Sequence, residues 1–182
     1  MITLLLIAAL AAPPTSADTA PASLAAPASV AVEPSEAERF AAAEEALKAF
    51  EALHVTIPPG ADMAAWSQAF SQGIQQQAQA LGELQSRYLA LAGASPQYAV
   101  PAFVRAGEVL EKFASELATL PPPSGGPEVA KALAGSLEQA ANSLRQAAIT
   151  YYQQALDHAD RAGVTGEWPD FARERLARLR KP

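Results

Sequence analysis

From Glu128 to Ala162, between Pro127 and Gly163, the chain is a nearly unbroken run of helix-forming residues. Inside it Leu133, Leu137, Ala140, Leu144, Ala147, Tyr151, Ala155 and His158 recur at steps of four and three. That spacing draws one apolar stripe down a helix of about 35 residues, roughly 50 Å long. Such a helix cannot bury its stripe against itself, so the rest of the chain must supply covering helices. The expected fold class is all-α: antiparallel helical hairpins with a C-terminal capping helix, about five helices in all.

The composition agrees with this. Hydrophobic residues make up 50% of the chain but aromatics only 7%, because much of the apolar share is alanine. A few large side chains must therefore anchor the core. β-branched residues are sparse and alternating runs are absent, which argues against sheet. The net charge of −6 argues against nucleic acid, which needs a basic face, and against charge-driven binding to anionic lipid. The chain has no cysteine, which excludes disulfides, thiolate catalysis, zinc–cysteine sites and an acylated lipoprotein anchor. The two histidines, His54 and His158, lie far apart, and neither has a second histidine at ligand spacing.

Ile2 to Ala12 is apolar but too short to span a bilayer permanently, and Thr15-Ser16-Ala17 suits a signal peptidase. Residues 1–17 are expected to be a signal peptide, although no Lys or Arg precedes the apolar run. A periplasmic or secreted location follows from that expectation. Residues 18–34 are Ala, Pro, Ser, Thr and Val without periodicity and read as a disordered linker. Residues 35–182 are expected to form a single helical domain.

Punctuation divides that domain. Ser35 and Glu38 form a capping-box pattern for a first helix that ends before Thr56, with His54 placed to cap its C-terminal end. Asp62 is an N-cap for a second helix that reaches about Ala92. Its apolar face runs Trp66, Phe70, Ile74, Gln77, Leu81, Leu84, Tyr88 and Leu91. Gly73 and Gly82 on it suit close approach of a neighbouring helix. Gln75, Gln76, Gln77 and Gln79 read as a solvated or semi-buried face. Ser95-Pro96 opens a third helix to Leu120, which Pro101 is expected to kink or restart. The proline-rich stretch from Pro121 to Pro127 reads as a loop. After the long helix, Gly163 suits a left-handed C-cap, and Thr165 a cap for a last helix to Arg180. That helix carries acids early and bases late, matching its dipole, and its basic tip is the one positive cluster in the sequence.

Two fragments resemble a known repeat. Phe103, Ala106, Gly107 and Leu110 stand at the first-helix signature positions of a tetratricopeptide (TPR) repeat, and Ala148, Tyr152 and Ala155 at those of the second helix. The physics is plain: Gly107 and the alanines let two backbones approach, and the large residues lock across the gap. About a dozen residues separate the two signatures in an ordinary repeat. Here Gly107 and Ala148 stand 41 apart, so the chain resembles an elongated hairpin. From Tyr88 to Pro182, with Gly163 closing the long helix and Trp168 in the terminal one, it is similar to exported TPR-like proteins of myxobacterial type. Some of these belong to gliding-motility and envelope machinery. The resemblance implies an interaction role and supplies no catalytic residue.

The leading expectation is a non-enzymatic, exported helical scaffold that binds a protein partner, with no cofactor and no metal. The alternative is a binder of an apolar ligand or a membrane surface, since long Ala/Leu-rich amphipathic helices can open around lipid. An enzyme is not expected. The best local cluster is Asp157, His158 and Asp160, but His158 is aimed about 100° from Asp157 on the helix. There is no metal-binding histidine pair, nucleophile elbow or phosphate loop. A dimer through the long helix stays open, and the added length from Glu128 to Ala147 is the first place to look for a specialised surface.

Overall fold

The computed structural model describes residues 33–181. Contacts set Glu36–Pro182 apart as a unit from Met1–Ser35. The expected signal peptide over residues 1–17, and all but the end of the linker expected over 18–34, lie outside the described residues. The Glu36–Pro182 unit is all-helical: α1 (Glu36–Glu51), α2 (Met63–Ala94), α3 (Pro96–Thr119), α4 (Pro127–Ala162) and α5 (Glu167–Leu179). Among the described residues there is no strand, only an isolated bridge between Asp62 and Ser124. No described helix is long and apolar enough to cross a membrane.

The centre of the fold is α3, not the long helix. Ala99, Val100, Ala102, Val104, Ala106, Val109, Leu110, Phe113, Ala114 and Leu117 are all buried, and they cover more than half of the circumference of α3, leaving one polar flank. A helix with so wide an apolar face belongs at the centre, and α3 packs on each of the other four helices. α4 packs on α3 and α5, while α2 packs on α1 and α3. The helix that carries Tyr88 therefore backs α3. α3 is also continuous through Pro101, which is buried inside it and neither ends nor restarts it.

The buried face of α4 also departs from the sequence stripe. Leu137, Ala140 and Leu144 are buried as expected, but beyond them the face runs through Ala148, Tyr152, Ala155 and Ala159. Ala147, Tyr151 and His158 sit on its margin, half-buried. The stripe took a step of three after Leu144 where the helix takes four. An α-helix drifts by about 20° per heptad against a 3.5-residue repeat, and alanines on several faces hide the drift.

Local chemistry sets the ends. The Asp62 carboxylate accepts the Ala65 N–H at 2.9 Å and starts α2. Asp62→Ala is expected to lower stability by about 0.5–2 kcal/mol, read as a shift in the denaturation midpoint. Gly163 takes a left-handed φ of 65° after α4, and the Val164 N–H donates to the Ala159 carbonyl at 2.8 Å. That pair of features is a Schellman-type stop. Two expectations for the ends are corrected, and one for the glycines inside α2. α1 stops at Glu51, so His54 lies beyond it in the connection and caps nothing there. The N-cap of α5 is Gly166, with no side-chain cap bond, so Thr165 does not fill that role. Gly73 does meet a neighbour, but it is the loop residue Val55, whose Cα lies 3.1 Å from where a Cβ would stand. Gly82 faces open space.

The proline-rich loop is pinned to the start of α2. Ser124 N–H donates to the Ala61 carbonyl at 2.8 Å, and the Trp66 indole N–H donates to the Pro121 carbonyl at 2.7 Å.

Candidate functional site

α3 carries Arg105, Glu108, Glu111, Lys112 and Ser115 at helical spacing, and these positions share one flank. α1 bounds that flank with Leu47 and Glu51, and α5 with Arg175 and Arg178. Between them lies an open, charged cleft of about 320 Å³.

Its upper wall is an Arg105 node. The guanidinium donates from Nε and Nη2 to the two oxygens of Glu44, at 3.0 and 2.7 Å, and from Nη1 to Glu108 at 2.7 Å. It also lies 4.9 Å over the ring of Trp168. The Tyr88 hydroxyl donates to Glu44 at 2.8 Å. One guanidinium thus joins α1, α3 and α5, and through Glu44 it reaches α2. A fork of this kind matches a carboxylate bidentately, which lysine could not do. Burial opposes the Arg105 charge, but the bonds to Glu44 and Glu108 outweigh it and hold its pKa above the ordinary value.

The lower wall is centred on Glu111, which is buried. It accepts the Tyr152 hydroxyl at 3.0 Å from α4 and the Arg178 guanidinium from α5, and Arg175 lies 3.6 Å away. The basic tip of α5 is therefore partly committed to an internal carboxylate, beyond any role as a dipole complement. Burial, then the negative charge of Glu111, drives the Tyr152 phenol well above its ordinary pKa; burial and Glu44 do the same to Tyr88.

The sign of that shift is testable. Free phenols ionise near about pH 10. In the folded chain these two stay neutral there, so the unfolded state sheds protons first and stability falls as pH rises above about 10. The shift contributes full stability below that pH. A titration followed by phenolate absorbance should show Tyr88 and Tyr152 ionising together with loss of helix. Ionisation of all four tyrosines before any loss of helical signal would contradict it.

A third polar node lies at the other end of α3. Glu116 accepts the Val55 N–H and the Gln77 amide, both at 2.6 Å, and His54 Nδ1 stands 3.7 Å away. Gln77 also donates to the Leu53 carbonyl at 2.9 Å. Gln77 is fully buried, unlike exposed Gln75, Gln76 and Gln79, and its role is to tie the α1–α2 connection to α3.

The residues singled out from the sequence fall into one contact and its surroundings. Ala106, Gly107 and Leu110 of α3 are buried, as are Ala148, Tyr152 and Ala155 of α4. A Cβ on Gly107 would stand 2.8 Å from Tyr152 Cε1, so the ring lies directly on the glycine. Phe103 is half-buried, 5.0 Å from His158 and 6.4 Å from Tyr151, centre to centre. Trp168 is half-buried under Arg105, and Gly163 is the exposed stop of α4. Asp157 and Asp160 are exposed, and His158 stacks on Phe103. Among the described residues no three acidic or histidine side chains gather as a metal site would require. The sequence reading missed Glu44, Glu111 and Glu116. The available signal was Glu111, which with Lys112 interrupts the apolar residues Val109, Leu110, Phe113 and Ala114.

Comparison with protein-family models, with curated proteins and with solved structures finds no match.

Proposed function

We propose that the protein is a non-enzymatic, exported helical scaffold that binds a protein partner in the bacterial cell envelope. In this reading α3 and α4 form an elongated, antiparallel TPR-like hairpin that α5 caps. The order of contacts supports the hairpin: Phe103 meets His158, and four residues further along α3, Gly107 meets Tyr152. Glu108 and Glu111 of the cleft are tied to arginines and a tyrosine, which suits rigid support better than proton transfer.

One observation carries the interaction role. The first ten residues of α4, from Pro127 to Ser136, include no buried side chain, and Val129 is 38% exposed. Leu133 continues that face half-buried. An isolated helical segment is marginal in water, so a continuous α4 that outruns its cover is suited to packing against another chain. The polar lining of the cleft gives no matching support to an apolar ligand.

A photo-crosslinker at Val129 of the exported chain tests this in the native envelope. The expected outcome is one recurrent protein adduct, absent when the same group is placed at exposed Arg87 on α2. Equal labelling from both positions, or no adduct from Val129, would remove the α4 extension as a docking face.

A further inference from the structure

Two cations of the cleft, Arg175 and Lys112, make no short hydrogen bond. Arg175 is the clearest case. Its side chain is 25% exposed, yet it makes no hydrogen bond, and its Nε is buried without a partner. Its one ion pair, to Glu111, spans 3.6 Å, which is too long for a hydrogen bond. Its guanidinium carbon lies 4.8 Å over the centre of the Phe171 ring. A guanidinium has five N–H donors, and buried donors in folded proteins are nearly always satisfied.

Two of the three acids of the cleft are already committed. Glu108 is taken by Arg105, and Glu111 by Arg178 and Tyr152. Across from Arg175, Lys112 has only long contacts to Glu51, at 3.4 Å to its carbonyl and 3.7 Å to its carboxylate. Leu47 and Val109 add an apolar part to the lining. Two under-used cations beside an apolar wall match an anion that carries a hydrocarbon body, and a guanidinium edge pairs with a carboxylate through two parallel bonds.

We propose that the cleft between α1 and α5 binds a small organic carboxylate, with Arg175 and Lys112 as its ligands. The site stands apart from the docking face on α4 and does not depend on the scaffold reading. It is tested on the intact chain by following the Arg175 Nε–H resonance during titration with hexanoate, with inorganic phosphate and sodium chloride at matched ionic strength as the other arms. The expected result is a saturable shift with hexanoate and only a weak, unsaturated one with phosphate or chloride. Lys112→Gln should weaken the hexanoate response about tenfold, the loss of one charge-assisted bond, while the thermal midpoint without ligand stays unchanged. Equal responses to hexanoate and chloride, a shift that never saturates, a phosphate response as strong as hexanoate's, or an unchanged affinity in Lys112→Gln would overturn the assignment.

Discussion

Tyr152→Ala is expected to lower the unfolding free energy by about 3–5 kcal/mol, the range for removing a fully buried aromatic ring. Tyr152 has no solvent exposure, its ring lies on Gly107, and its hydroxyl donates to the buried Glu111. Truncation opens a cavity between α3 and α4 and also leaves Glu111 without one of its donors. Domains of this size have about 5–15 kcal/mol in total, so the loss would consume a large share of it. Tyr152→Phe isolates the hydroxyl and should cost about 1.5–3 kcal/mol, because its acceptor is a carboxylate. Tyr151→Ala is the matched control and should cost less, since that ring is half-buried and stacks on Phe103 at the margin. Denaturant melts of the three variants check the order. A near-neutral Tyr152→Ala would mean that the adjacent ring holds the core.

Gly107→Leu is the second large effect. A Cβ at this position would meet Tyr152 Cε1 at 2.8 Å and Cζ at 2.9 Å. Two opposing terms decide the outcome. Replacing a mid-helix glycine gains about 1 kcal/mol in helix propensity. Overpacking a close-packed interior costs about 1–3 kcal/mol, and occasionally more. Tyr152 cannot swing aside without breaking its bond to Glu111 and leaving its pocket, so the steric term wins. Leucine, with three more carbons than alanine, stands at the upper end of that cost and should lose about 2 kcal/mol net or more. A thermal midpoint at the wild-type value would remove the Gly107–Tyr152 contact from the fold.

Local signals in the sequence proved readable where a residue's own chemistry sets the structure. Asp62, Pro96, Pro127 and Gly163 sit at helix ends because caps and stops depend on the few residues around them. Long-range polar partnerships were not readable in the same way. Gln77 finds Glu116 across 39 positions, and Arg105 finds Glu44 across 61. Nothing in the local pattern of either residue names its partner. The centrality of α3 does not show in a single narrow stripe, because its buried face spans more than half of its circumference. Along α4, alanine on several faces offers too little contrast in size to fix the rotation beyond Leu144. His54 illustrates a different limit: its distance from the true end of α1 depends on where the helix unwinds, and end positions vary by a residue or two.

The central structural claim is that α3 and α4 are clamped where Gly107 meets Tyr152. The most direct test measures the stability change for Gly107→Ala twice, once with Tyr152 present and once in a Tyr152→Leu background. With the tyrosine ring present, the added methyl should destabilise by about 1–2 kcal/mol, overpacking less the helix-propensity gain. With the smaller side chain the obstruction is gone, and the same substitution should stabilise by up to about 1 kcal/mol. That reversal of sign, a coupling of about 1–3 kcal/mol, is the expected result for two residues in direct contact. An identical effect of Gly107→Ala in both backgrounds would contradict it.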